Sequence, residues 1–194
     1  SVIQQMAIPT ILTHKDVIAQ AQSGTGKTGA FLISSLNNID LKLYQPQVLI
    51  ICPTRELGTQ HYNIANSINS YLGVNIGILI GGNDEDTRNF KEDNQLIIGT
   101  PGKIYAMLER GYLRLNHLKM FILDEADEML SSCFKEQIYD IFQYIPKDTQ
   151  VCIFSATITQ DTLELTQKFM NDPLMILVKN EELTLDGIAQ YYIN

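Results

Sequence analysis

Two short stretches of this 194-residue chain hold residue types at spacings that suit phosphate chemistry. The first is AQSGTGKT, Ala21 to Thr28. Gly24 and Gly26 allow a tight turn whose backbone N–H groups point inward around phosphate oxygens. A helix opening at Lys27 would add the partial positive charge of its N-terminus. Lys27 would then reach the β- and γ-phosphates of a nucleotide, and the Thr28 hydroxyl would ligate magnesium. Ala21 stands where the first glycine of the strict pattern usually sits. The bland reading is a Gly-rich turn between a strand and a helix. The candidate nucleotide-binding residues are Ala21, Gln22, Ser23, Gly24, Thr25, Gly26, Lys27 and Thr28.

The second stretch is MFILDEADEML, Met120 to Leu130, where Asp124, Glu125, Asp127 and Glu128 follow an apolar run. Alone, such a cluster is more often a solvated face. Hydrolysis at a phosphate loop, however, needs a second magnesium anchor and a group that orients water. Asp124 is the candidate anchor, together with Thr28 and partly through water, and Glu125 the candidate to position or deprotonate the attacking water. Lys27, Asp124 and Glu125 are thus the candidate catalytic residues. Glu128 needs no role beyond a solvated one.

Both stretches need elements that bring them together. Seven short apolar runs recur along the chain: DVIAQA, QVLIICP, NIGILIG, QLIIGT, KMFILD, QVCIFSA and LMILV. Most are apolar at consecutive positions, as strands buried on both faces of a parallel sheet are. Between them, Lys27 to Leu36, Arg55 to Tyr71, Gly102 to Arg110, Phe134 to Tyr144 and Thr159 to Met170 have helical length and pattern. Alternating strands and helices imply a three-layer α/β domain with right-handed crossovers and a mostly parallel central sheet. In such a sheet, ligands bind outside the carboxyl ends of the strands. AQSGTGKT, PTREL, TPGK, DEAD and SAT each begin where an apolar run ends, so five polar motifs converge on one sheet edge.

Composition narrows the class. Hydrophobic residues make up 45% and charged residues 19%, which suits one globular domain. No apolar stretch approaches the roughly 20 residues of a membrane-spanning helix, and the first residues lack the basic region and cleavage site of a signal peptide. A soluble protein without membrane association is expected. Cys52, Cys133 and Cys152 lie far apart with no CxxC pair, which offers no metal site or disulfide framework and fits a reducing compartment. Buried, structural thiols are the default reading. A net charge of −8 argues against holding nucleic acid by bulk electrostatics, which needs a basic stripe.

Taken in order, AQSGTGKT, PTREL, GG, TPGK, DEAD and SAT resemble the first RecA-like, P-loop domain of a DEAD-box RNA helicase. The stretches DVIAQAQSGTGKT, DEADEMLSSCFKEQIYDIFQYIP and ILVKNEELTLDGIAQYYIN resemble the translation-initiation subgroup, although exon-junction and nucleolar relatives share much of them. The resemblance implies an RNA-dependent ATPase using ATP and Mg²⁺. SVIQQ resembles the Q motif and makes Gln4 the adenine reader, since a carboxamide both donates and accepts. Pro53, Thr54 and Arg55, the pair Gly81 and Gly82, and Thr100, Pro101, Gly102 and Lys103 resemble the RNA-contacting motifs. Hydroxyls, helix-start amides and a few cations suit the backbone of single-stranded RNA, read without regard to sequence. Lys103 replaces the usual arginine, keeping charge but losing the planar fork. Gly58 stands where alanine usually follows PTREL, at a helix-propensity cost of about 0.5–1 kcal/mol. Ser155 and Thr157 of SAT, with Asp127, resemble the group that links ATP state to RNA grip.

The family enzyme has a second RecA-like domain, whose arginine fingers lie on an HRxGR-type stretch, and these 194 residues contain no such stretch. The expectation is half an enzyme, trimmed at both ends, with residues 1–182 forming the first domain and residues 183–194 starting a linker. A helical-repeat scaffold partner and a cytoplasmic location follow from the resemblance alone, nuclear if the exon-junction or nucleolar branch applies. Two rival classes share part of the pattern. A P-loop metabolic kinase or transport ATPase has no use for PTREL, TPGK and SAT. An ATP-dependent RNA clamp or scaffold with little turnover keeps all the motifs.

Overall fold

Consecutive side chains of a strand point to opposite faces, so a strand apolar at every position must be covered on both sides. That is how the sheet is built. In the computed structural model, which describes residues 1–82, 90, 91, 93–131 and 133–178, Val48 and Ile50 enter one core while Leu49 and Ile51 enter the other. Met120 and Ile122 divide from Phe121 and Leu123 in the same way.

Seven strands form the sheet: β1 (Val17–Gln20), β2 (Val48–Ile51), β3 (Ile76–Leu79), β4 (Leu96–Gly99), β5 (Met120–Asp124), β6 (Gln150–Ser155) and β7 (Leu174–Leu177). Their spatial order is β3-β4-β2-β5-β6-β1-β7, and every pairing is parallel. The sheet is therefore wholly parallel where a mostly parallel one was expected. Helices α1 (Val2–Ile11), α2 (Lys27–Asn38) and α3 (Arg55–Asn69) cover the first face. The second is covered by α4 (Pro101–Glu109), α5 (Ala126–Leu130), α6 (Lys135–Phe142) and α7 (Gln160–Phe169). All seven apolar runs are strands, and all five anticipated helices are present with ends shifted by one or two residues. Helix α1, which carries Gln4, and the short α5 were not anticipated. The expected linker, 183–194, lies outside the described residues. Among the described residues, no helix is long and apolar enough to cross a membrane.

Two local expectations need correction. Cys52 and Cys152 are buried, but Cys133 is exposed in the turn between α5 and α6, where no strand holds it. Gly58 is not a bare cost to α3. A Cβ there would lie 3.0 Å from Ile80 Cγ2 and 3.4 Å from Cys52 Sγ, so glycine lets the helix approach the sheet closely.

Candidate functional site

The strand order explains how distant motifs meet. β6 is hydrogen-bonded to β5 on one side and β1 on the other, so the segments leaving these three strands are neighbours. Asp124 pairs with Phe154 in register, and Gln20 with Ser155. A single cleft is consequently lined by Ser23 and Lys27 from the phosphate loop, by Glu125 and Asp127 from the acidic cluster, and by Ala156 and Thr157.

The loop leaving β1 is tied to β6 by the Ala21 N–H donating to the Ser155 carbonyl at 3.0 Å, and by the Gln20 carboxamide donating to the Ala156 carbonyl at 3.1 Å. Within it, the Thr25 hydroxyl donates to the Gln22 carbonyl at 2.7 Å. Gly26 caps α2 at a φ of 101°, a conformation that L side chains rarely adopt. Gln4 Nε2 donates to the Gly26 carbonyl at 3.2 Å and would lie 2.6 Å from a Cβ at Gly29, so α1 rests its carboxamide directly on the start of α2. Ser23 and Gly24 are exposed, while Thr28 is half-buried. Lys27 is buried, and its Nζ has no hydrogen-bond partner.

Asp124 is the last residue of β5; its Oδ1 is likewise buried and unpartnered. Two opposite, unsatisfied buried groups are costly unless something bridges them. A magnesium-bound phosphate would satisfy both. Among the described residues no three His, Cys, Asp or Glu side chains cluster as a protein-built metal cage requires. The donor set therefore fits magnesium, which keeps waters and phosphate oxygens around one or two protein ligands.

Glu125 follows at a φ of 54°, a left-handed backbone that costs a non-glycine residue roughly 1 kcal/mol or more. This kink lets α5 start immediately, with Glu125 as its N-cap. Burial, then the Asp124 charge and a hydrogen bond with Glu128, push the Glu125 carboxyl above the ordinary glutamate range. Asp127 is moved the other way. Burial opposes its ionisation, but hydrogen bonds involving Thr157 and Ser155 outweigh it and hold the carboxyl below the usual range. The Thr157 hydroxyl donates to Asp127 Oδ2 at 2.7 Å and the Thr157 N–H at 2.9 Å, while Ser155 Oγ accepts from the Asp127 N–H at 3.2 Å. Glu128 is exposed.

A second groove lies along the same sheet edge and is lined by Pro53, Arg55, Gly81, Gly82, Thr100, Gly102 and Lys103. Two helices open into it. Thr54 caps α3, its hydroxyl accepting from the Leu57 N–H at 3.2 Å, and Thr100 caps α4 with Pro101 in the first turn. Helix starts present unpaired N–H groups and partial positive charge, which suit phosphate oxygens. Arg55 Nη1 donates to the Gly81 carbonyl at 3.0 Å, and its guanidinium passes where a side chain at Gly82 would stand. Gly82, with a φ of 104°, tolerates that approach.

One buried partner of the acidic cluster has no motif to announce it in the sequence. His61, on α3, places Nε2 3.0 Å from Asp124 Oδ2, both side chains being buried. Its signal was the spacing Gly58, His61, Ala65, the inward face of a helix starting at Arg55.

Comparison with known proteins agrees with this arrangement. The DEAD/DEAH box helicase family model matches residues 1–166. "ATP-dependent RNA helicase eIF4A" of Lodderomyces elongisporus is 56% identical over the whole chain, and that of Candida albicans 53%. The chain spans about half the length of these relatives, 49% in each case. Among solved structures, S. cerevisiae Dbp5 bound to RNA and ADP BeF3 superposes with a TM-score of 0.87 at 31% identity, covering 98% of this chain and 49% of that one. A DEAD box protein from Methanococcus jannaschii superposes with a TM-score of 0.88 at 33% identity, covering 93% of this chain and 50% of that one. The wholly parallel sheet with helices on both faces is thus the RecA-like domain of such helicases. By motif order, fold and full-length similarity, the chain belongs to the DEAD/DEAH box helicase family.

Proposed function

We propose that these 194 residues are the ATP-binding half of an RNA-dependent ATPase and RNA helicase that acts in translation initiation, in the cytoplasm. The observation that carries this reading is the pair of grooves on one sheet edge. One is lined by Lys27, whose Nζ is buried and unpartnered, and by Glu125, next to an Asp124 whose Oδ1 is buried and unpartnered too; the other has two helix starts with Arg55 and Lys103. The chain's 56% identity to an eIF4A relative supports the translation branch over an RNA clamp of the splicing branch.

In this reading Gln4 selects adenine, and the loop from Ala21 to Thr28 wraps the phosphates with Lys27 on the β- and γ-groups. Thr28 and Asp124 would hold magnesium, which when bound neutralises charge building on the phosphates. Glu125, its carboxyl raised above the usual range, orients the attacking water and accepts its proton. Asp127, held by Ser155 and Thr157, ties the acidic cluster to the exit of β6. Single-stranded RNA lies in the second groove, gripped through its backbone and without regard to base sequence. Closure of a second RecA-like domain over both grooves would bend the RNA, and hydrolysis would release it. A helical-repeat scaffold protein would hold the two halves in register.

The test is ATP hydrolysis by the 194-residue chain with and without single-stranded RNA, beside an ATP-binding titration. The sequence contains no HRxGR-type stretch, and an arginine finger is worth about 10³–10⁵ in turnover. Binding with turnover near background is the expected result. Fast, RNA-stimulated turnover would mean that the active site is complete within these residues, and no ATP binding at all would sink the nucleotide-site reading.

A further inference from the structure

His61 stands against the proposed metal anchor, and the functional reading gives it no task. It sits on the inward face of α3, 1% exposed, with Nε2 3.0 Å from Oδ2 of an Asp124 that is 3% exposed. An aspartate carboxylate only accepts hydrogen bonds, so the bonding proton belongs to Nε2. His61 Nδ1 is buried with no partner. The imidazole is thus engaged through Nε2 alone. The Phe31 ring meets the imidazole edge-on, centroids 5.2 Å apart at 84°, and fixes its plane. Phe31 belongs to α2, the helix that the phosphate loop opens.

The carboxylate is therefore engaged at Oδ2 by the imidazole and left unpartnered at Oδ1. A ligand carboxylate held in this way keeps one rotamer before the metal arrives, and fixing a metal ligand's orientation is the usual work of the residues behind it. We propose that His61 is a positioning residue that presets Asp124 for magnesium, leaving Oδ1 as the oxygen open to the ion or its bound water. This inference rests on the nucleotide-site reading above. It also gives α3, whose start lines the second groove, a side-chain connection to the metal anchor.

The experiment compares the affinity of the chain for a fluorescent ADP in magnesium and in EDTA. Variants are His61→Leu, which removes the donor; His61→Gln, which restores an N–H; and Asp124→Asn as the control without a metal ligand. His61→Leu is expected to keep its affinity in EDTA while losing about tenfold of the gain that magnesium brings, and His61→Gln to recover most of it. A full magnesium gain in His61→Leu would overturn the proposal, as would an equal loss in EDTA, which marks a merely structural role. Failure of the unsubstituted chain to bind nucleotide in either condition would defeat the nucleotide-site reading, and this inference with it. Long-range ¹⁵N–¹H spectra supply a readout that needs no nucleotide. Nε2 is expected to carry a proton and its resonance to move in Asp124→Asn, whereas a proton on Nδ1 alone would overturn the proposal because Nε2 could not donate.

Discussion

Thr157 donates two hydrogen bonds to a single oxygen of Asp127, from its hydroxyl at 2.7 Å and from its backbone N–H at 2.9 Å. Thr157→Ala removes the shorter bond and is expected to let the Asp127 pKa climb back toward the usual carboxylate value. A carboxyl whose pKa is lower folded than unfolded stabilises the fold above the unfolded value, about 3.9, and loses that contribution as pH falls through the folded one. The stability gap between the chain and the variant should therefore be open at neutral pH and narrow as the solution is acidified below the ordinary carboxylate range. Urea midpoints at several pH values would read it. A gap that does not change with pH would assign the hydroxyl a packing role instead.

Lys27 offers a separation of stability from binding. Its Nζ is buried and unpartnered, so Lys27→Ala removes an unsatisfied charge while leaving no hydrogen bond broken. The thermal midpoint is expected to hold or rise slightly, while ATP affinity falls at least tenfold, the scale of one hydrogen bond between charged groups. Calorimetry and a nucleotide titration on the same samples would show both. Loss of stability together with binding would indicate that the lysine supports the loop itself.

The three thiols should differ in reactivity. Burial, then the charges of Asp124 and Glu125, push Cys52 up to about 12, and burial raises Cys152 as well. Neither forms appreciable thiolate at neutral pH, whereas Cys133 is exposed. Brief alkylation of the native chain at pH 8 followed by peptide mass spectrometry should mark Cys133 alone. Label at Cys52 or Cys152 before unfolding would reveal opening of the sheet.

The second groove predicts a backbone-type interaction. Arg55→Ala is expected to weaken single-stranded RNA binding by a similar factor for different base sequences. The slope of log affinity against log salt should fall by about 0.7, the value of one phosphate contact. A loss confined to one sequence would point to base reading, which nothing in the groove's lining suggests.

Much of this was legible in the chain because a wholly parallel sheet advertises itself. Strands such as Val48–Ile51 and Met120–Asp124 are buried at every position, so the apolar runs carry no helix-like gaps to confuse them. The motifs were legible because each follows such a run directly. What stayed hidden has two causes. Helix α1 mixes apolar residues with Pro9 and has only a weak apolar stripe, buried at Ile3, Ala7 and Ile11, so its pattern does not stand out. The His61–Asp124 contact joins positions 63 residues apart, and the register that brings α3 over the end of β5 exists only in the folded sheet. Gly58 likewise read as a defect until Ile80 and Cys52 were seen against it.

The position of β1 has a consequence for how the domain is assembled during synthesis. Its two sheet neighbours, β6 and β7, lie at residues 150–155 and 174–177, so the strand feeding the phosphate loop waits for well over half the domain to be made before either edge is paired. β2, β4, β3 and β5 can join earlier, since their mutual pairings close within residues 48–124. Loop closure over such separations is slow relative to local contacts. A nascent chain stalled before β6 would hold a formed central ladder and an unpaired, largely apolar β1, and would depend on chaperones to shield that edge until the last strands arrive.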